Sequence, residues 1–313
     1  MPPYGLSQDS SPSLELVKTA LDKIRDEAML KNARVGKATA EDPVIFTQGK
    51  ATNAAVVSTV QGGGGYFDKR TGDFETAKNV AINAPSPKTT LIAEFHKDLD
   101  IARTFWADQQ HDSVSKAVRG NTRAWMASRD RNAMNVYALG FTTQTTIESV
   151  AVFSNSHVNA NGDTVDNLSG AGALADSTLN TGIVLLRNQI NQTGVKVGYE
   201  PDFLLSPNAL HKTAMTVSKS VLRAGTGNND LNYFSELYPG MQVKYNQFLD
   251  ETSTTAYFIG SDGHGVERFV RESFFTKLIP WEGQRNDAYI YKMRAREEVD
   301  SIEYSGLVGD LGT

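Results

Sequence analysis

The sequence predicts an α+β fold, and three observations carry that prediction. Residues 112–139, DSVSKAVRGNTRAWMASRDRNAMNVYAL, keep a helical pattern from end to end. Residues 287–304, DAYIYKMRAREEVDSIEY, alternate between apolar and charged, the period of a half-exposed strand. Between them, short apolar runs, helical segments and polar turns follow one another, as in a mixed α/β lobe.

The elements follow in order. Residues 1–12 are rich in Pro and Ser and read as a flexible lead. Ser13 opens a helix whose apolar stripe is Leu14, Val17, Leu21, Ile24 and Ala28. Such a narrow stripe docks either on its own subunit or on a neighbour or helper protein. Residues 48–92 read as two extended arms around a glycine-rich tip, QGGGGYFDKRTGD, with little apolar alternation. A two-stranded hairpin is marginal alone, so this one is expected to lie on something else, most simply another copy of the chain.

The 112–139 helix has Asp112 or Ser113 to cap it and Gly140 behind it. Val114, Val118, Trp125, Met134 and Tyr137 supply a buried side, and Gly120 interrupts it. At about 1.5 Å per residue it forms a spine of roughly 42 Å. Residues 179–192 read as a helix with Leu179, Ile183, Leu186 and Ile190 on one face. Phe203–Leu205 is a buried strand, and Pro207 to Lys219 a helix that Ser206 caps. MQVKYNQFL and TAYFIG are strands around the loop DETST. In the final strand Tyr289, Tyr291, Met293 and Ala295 face one way, and Lys292, Arg294 and Arg296 the other. No internal repeat of 20–50 residues is visible.

Composition narrows the function. At 313 residues the chain exceeds what one core usually serves, so two lobes, or one with large excursions, are expected. A net charge of -5 argues against a dedicated nucleic-acid binder, though not against a container that encloses DNA without gripping it. With no cysteine, disulfides, thiol nucleophiles and Cys-based zinc sites are excluded. The first residues lack an apolar core after a basic start, and no apolar run approaches the ~18 residues of a membrane helix. A soluble chain that stays where it is made is the expectation.

Catalytic and ligand motifs fail on context. Gly62–Gly65 are followed by Tyr66-Phe67-Asp68, not by the Lys-Ser/Thr of a phosphate loop or the spaced glycines of a dinucleotide loop. His96, His111, His157, His211 and His264 show no ligand spacing. The 157–166 stretch, containing NANGD, faintly resembles a calcium loop but lacks its full pattern. Ser206 sits between Leu205 and Pro207, without the small neighbours of a nucleophile elbow. Asp98/Asp100 and Glu297/Glu298 read as solvated or ion-paired acids. The expectation is no enzyme, no metal and no cofactor, with a hydrolase using Ser206 as a remote alternative.

The order of these elements resembles the tailed-bacteriophage major capsid protein, the Hong Kong 97 fold, and is closest in texture to Mu-like phage major head subunits. The residues that carry it are FETAKNVAINAPSPKTTLIAEFHKDLD, ALADSTLNTGIVLLRNQINQTGVKVGYEPDFLLSPNALHKTA, ELYPGMQVKYNQFLDETSTTAYFIG and RNDAYIYKMRAREEVDSIEY. The likeness covers roughly residues 50–304 and is strongest over 170–300.

The resemblance implies an N-terminal arm (1–50), an E-loop (51–92), a P domain (93–141 with the spine helix, 268–304 with the returning strands), an A domain (142–267) and a C-terminal tail (305–313). It implies self-assembly into hexamers and pentamers of an icosahedral shell around phage double-stranded DNA, formed in the host bacterial cytoplasm and ending in the virion. An arm of ~18 extended residues reaches roughly 60 Å, enough to cross an adjacent subunit. Gly62, Gly63, Gly64, Gly65, Tyr66, Phe67, Lys69 and Arg70 would make that contact.

Only about fifty residues precede the E-loop, so a separate scaffolding protein, or none, is expected, with a portal and perhaps a decoration protein as further partners. Lys69, Lys78 and Lys88 lie where some relatives form a Lys–Asn cross-link. Arg119, Arg123, Arg129, Arg131, Lys292, Arg294 and Arg296 form the clearest cationic set, for salt bridges between subunits or for facing DNA. The alternative of the same architecture is an encapsulin-type compartment holding cargo proteins.

Overall fold

A computed structural model describes residues 14–30, 36–59, 87–104, 108, 111–159, 161–222, 230–280 and 288–312. The first part of the chain gives α1 (Leu14–Leu30), β1 (Thr47–Lys50), β2 (Ala55–Ser58), β3 (Lys88–Leu91), β4 (Ala93–Ala102) and α2 (His111–Ala138). The middle gives β5 (His157–Val158), β6 (Thr164–Val165), β7 (Leu168–Gly170), α3 (Asp176–Asn188), β8 (Phe203–Pro207), α4 (His211–Lys219) and α5 (Tyr233–Leu237). The last part gives β9 (Gln242–Asn246), β10 (Tyr257–Gly260), β11 (Val266–Ile279), β12 (Ala288–Ser301) and β13 (Leu307–Asp310). A five-stranded sheet has the order β7-β13-β10-β8-β9, and a four-stranded sheet the order β1-β11-β12-β4. This is the α+β architecture, with a long helix and two long strands, that the element order pointed to.

The chain divides into two compact units. One comprises Met1–Arg34, Glu94–Ser128 and Glu272–Arg296, the other Val35–Ala93, Arg129–Arg271 and Glu297–Thr313. In the first, Val17 and Leu21 of α1 pack with Ile101, Val114, Val118, Tyr289, Tyr291 and Met293. Asp22 fixes the helix further: its Oδ1 accepts from Thr276 Oγ1 at 2.6 Å and from the Tyr291 hydroxyl at 2.7 Å. The apolar stripe of α1 thus docks on its own subunit. Ile24 is half-buried and Ala28 buried, while the side chain of Leu14 lies outside the described residues.

In the second unit the central strands are buried on both faces. Phe203, Leu205 and Phe258 join a cluster with Met134, Tyr137, Phe46 and Phe153. Leu204, Tyr257 and Ile259, pointing the other way, join Leu179, Ile183, Leu186 and Phe234. Side chains of a strand alternate between faces, so one continuous apolar run serves two clusters. The hydroxyl of fully buried Tyr137 donates to the Ile45 carbonyl at 2.9 Å, which satisfies it inside the core.

Two expectations need correction. Ser206 is not a helix cap, and Pro207 does not open a helix. Both belong to β8, which pairs in parallel with β9, Ser206 opposite Tyr245 and Pro207 opposite Asn246. A 3-10 turn at Asn208–Leu210 intervenes before α4. The amides of Asn208 and Ala209 donate to the Asp250 carboxylate, each at 3.2 Å. The cap therefore comes from a residue distant in sequence. The 179–192 helix runs instead from Asp176 to Asn188, because Gln189 turns extended and buries its side chain. That side chain donates to Leu307 O at 2.6 Å and accepts from Gly306 N at 3.0 Å. Ile190 leaves the helix and forms a bridge with Lys196.

Candidate assembly surfaces

The two arms meet at their bases as an antiparallel ribbon, with Ala55 opposite Leu91 and Ser58 opposite Lys88. Alternation sorts its side chains. Val56, Ser58, Lys88 and Thr90 share the inner face, and Ala55, Val57, Thr89 and Leu91 the outer. The inner face is anchored through Asp300, which accepts from Lys88 Nζ at 2.5 Å and from Thr90 Oγ1 at 2.6 Å. Lys88 Nζ also donates to Thr145 O at 2.5 Å and Ser301 O at 2.8 Å. Val56 packs against Ala51, Ile92, Phe269 and Ile302. On the outer face Val57 is 61% exposed and Leu91 73% exposed. Gly62–Gly65, Tyr66, Phe67, Lys69 and Arg70, and also Lys78, lie outside the described residues.

Six of the seven cations are paired with acids of their own chain. Arg119 meets Glu27 at 3.7 Å, Arg131 meets Glu251 at 2.7 Å and Lys292 meets Asp98 at 3.2 Å. Arg294 reaches Glu272 at 3.2 Å and Glu94 at 3.4 Å, and Arg296 reaches Glu94 at 3.5 Å. Arg129 is buried, 2.9 Å from Glu41 and 3.2 Å from Glu297. Glu297 is also held by Arg268, whose Nη1 donates to Gln48 Oε1 at 3.1 Å. Arg123 is exposed and forms no ion pair with a described residue.

No reaction centre emerges among the described residues. Ser206 is fully buried in the sheet, and its hydroxyl faces Lys244 O at 3.4 Å. The 157–166 loop closes on itself. Asn159 Oδ1 accepts from the amides of Asn161 at 3.0 Å and Asp163 at 2.8 Å, and its Nδ2 donates to Asp163 Oδ2 at 3.1 Å. No group of three or more His, Asp or Glu suited to a metal occurs among the described residues. His157 is buried between Glu148, 3.1 Å from Nδ1, and Val152 O, 3.2 Å from Nε2, and stacks on Tyr304. Burial pushes the carboxyl of Glu303 upward, and that of Glu267 upward with help from the Glu303 charge. Among the described residues no helix is long and apolar enough to cross a membrane.

Sequence reasoning missed the Lys88–Thr90–Asp300 anchor and the Arg129–Glu297–Arg268 cluster. Only the second carried a signal, parity. In β12, Glu297 falls on the face of Tyr291, Met293 and Ala295, where a charge needs a partner.

Comparison with known proteins gives a consistent result. No curated protein sequence matches the chain. Among solved structures, the capsid of Myoviridae phage XM1 is similar at 13% identity and a TM-score of 0.51, covering 90% of this chain and 94% of that one. Microbacterium phage Oxtober96 is similar at 12% identity and a TM-score of 0.53, covering 89% and 92%. A virus-like particle from Pyrococcus furiosus shares the fold at 8% identity and a TM-score of 0.53, covering 93% and 97%. None of this singles out the Mu-like heads. The family model described as phage capsid protein matches residues 85–308, which contain the spine helix, both long strands and all of the five-stranded sheet but the end of β13, and the chain belongs to that family.

Proposed function

We propose that this phage capsid protein, the structural subunit of the head, assembles as hexamers and pentamers of an icosahedral shell around packaged double-stranded DNA. The ribbon β2–β3 carries this reading. One face is locked to its own subunit by Asp300, and the other presents Val57 and Leu91 to solvent. A two-stranded ribbon is marginal alone, and a closed symmetric shell supplies every such arm with a neighbour.

The E-loop (51–92), with Gly62–Arg70 at its tip, then lies across the adjacent subunit. The P domain (93–141 and 268–304) and the A domain (142–267) form the body of the capsomer, after the arm of residues 1–50. Assembly in the host bacterial cytoplasm draws on a portal and on a separate scaffolding protein, or on none, and a decoration protein is a further candidate partner. Lys88 is spent on its three acceptors and is not a cross-linking residue.

The test is expression of the full chain, alone and together with the genes that flank its own, followed by size exclusion and electron microscopy. Shells, or fivefold and sixfold rings, are expected. A chain that stays monomeric under both conditions overturns the reading. Val57→Asp with Leu91→Asp should leave the fold intact by circular dichroism and abolish the shells. Shells like those of the wild type would remove the ribbon from the interface.

A further inference from the structure

We propose that the outer edge of β4 is an interface between copies of this chain, on which the same strand of a second copy pairs antiparallel across a twofold axis. β4 closes the four-stranded sheet on one side, so only its edge toward β12 has a neighbouring strand within the sheet. It is 10 residues long. Among the described residues no backbone group from Glu94 to Ala102 bonds outside that sheet. A row of unpaired N–H and C=O groups is a template for another strand, and natural edges are kept short, bulged, charged or covered for that reason. This edge is neither short nor paired, and its charges are placed to accept a second copy.

Alternation puts Glu94, His96, Asp98 and Asp100 on one face of the strand and Phe95, Lys97, Leu99 and Ile101 on the other. On the first face Glu94 meets Arg294 at 3.4 Å and Arg296 at 3.5 Å, and Asp98 meets Lys292 at 3.2 Å. His96 and Asp100 are exposed, and neither forms an ion pair with a described residue. On the second face Leu99 and Ile101 pack with Val114, Val118 and Met293, while Lys97 is exposed.

A twofold axis normal to the sheet sets residues of the same face opposite each other, and every contact occurs twice because the interface is isologous. With Asp98 on the axis, His96 faces Asp100 of the second copy, where an imidazole N–H can donate to the carboxylate. Phe95 faces Ile101 of the second copy, and Lys97 faces Leu99. The one like-charge contact is Asp98 with itself, and each Asp98 carries its own Lys292. Neighbouring registers are worse. With Lys97 on the axis, His96 would face Asp98, but Lys97 meets itself and Glu94 meets Asp100 of the second copy. With Leu99 on the axis, Asp98 meets Asp100 of the second copy. Like charges directly opposite destabilise a strand pair, and opposite charges stabilise it. An icosahedral shell of the kind proposed above has twofold axes to hold this contact, but the pairing itself does not require a shell.

The chain has no cysteine, so a single introduced one reports its own neighbour. Opposed Cα atoms of an antiparallel pair lie about 4.5–5.5 Å apart, within the span of a disulfide. The full chain with Asp98→Cys or Glu94→Cys is oxidised, in particles and in the soluble fraction, and run on non-reducing gels. Both side chains are exposed, so the wild-type melting profile is expected. Asp98→Cys should give a covalent dimer. Position 94 lies roughly 27 Å from its counterpart, about eight residues at ~3.3 Å each, and Glu94→Cys should give at least tenfold less. Adding His96→Asp to Asp98→Cys should cut the dimer at least tenfold, and adding Asp100→Lys as well should recover it. Particles without a dimer from Asp98→Cys, or equal yields from the two cysteines, overturn this inference and leave the shell reading standing. Soluble dimers from Asp98→Cys in the absence of any particle uphold it and count against the shell. Neither dimer nor particle sinks both. Failure of Asp100→Lys to recover the dimer overturns the register.

Discussion

His264 shows what a single buried side chain commits the fold to. Its Nδ1 accepts from the Val266 amide at 3.1 Å, and Nε2 faces Val44 O at 3.2 Å. Both nitrogens are satisfied with one proton, so the neutral ring fits and a second proton has no acceptor. Burial lowers its pKa from 6.5 to about 4. The unfolded chain therefore binds the extra proton first as pH falls. The stability contributed by neutral His264 is complete above about pH 6.5 and is lost progressively toward pH 4, a total on the order of 3 kcal/mol. Glu267, Glu298 and Glu303 are raised by burial and act with the opposite sign, gaining relative stability as they protonate. The clean observable is therefore a difference. His264→Gln keeps a donor for Val44 O but does not titrate. In urea melts, the stability gap between wild type and variant should narrow as pH drops from 7 to 4.5. A constant gap would refute the assignment.

At the scale of elements, the spine helix α2 contains one dispensable glycine and is followed by one that is required. A Cβ on Gly120 meets nothing within 4 Å. Glycine inside a helix costs roughly 0.5–1 kcal/mol relative to alanine, so Gly120→Ala should raise the melting temperature. A Cβ on Gly140, just past the helix, would come within 2.7 Å of Val136 O and 2.8 Å of the Phe153 ring. Gly140→Ala should lower stability by about 1–3 kcal/mol, the usual cost of overpacking. Equal effects from the two substitutions would mean that the packing around the helix end is wrong. The helix itself was legible because its pattern is local, and β12 because Tyr289 to Arg296 alternate without a break. The β8–α4 junction was not legible. Pro207 and Ser206 look like helix-start residues, but the cap is Asp250, forty residues on, which no local pattern reports. The assembly surfaces were half legible. The paired bases of the two arms were legible as extended segments, whereas their anchor on Asp300 depends on long-range packing.

For the whole molecule, the question is whether the proposed shell would grip the DNA placed inside it. The net charge is -5. Exposed ion pairs such as Arg119–Glu27, with side chains 44% and 47% exposed, add little stability. Their effect is on the field: each cation carries its counter-charge on the same chain, so the sum offers a polyanion little attraction. Affinity for a duplex comes mainly from cations that displace condensed counterions at the phosphates. Cations already matched by neighbouring carboxylates must give up that pairing first. Of the seven cations singled out in the sequence, only Arg123 has no ion pair with a described residue, and one such residue makes a weak footprint. Isolated subunits should therefore not retard duplex DNA in gel shifts at roughly 10 μM protein and physiological salt, where nonspecific binders begin to register. Arg123→Gln should change nothing. Retardation that disappears as salt is raised, and again with Arg123→Gln, would show that the spine helix faces the genome and holds it. The expected absence of binding fits the proposed container, from which packed DNA would have to leave freely.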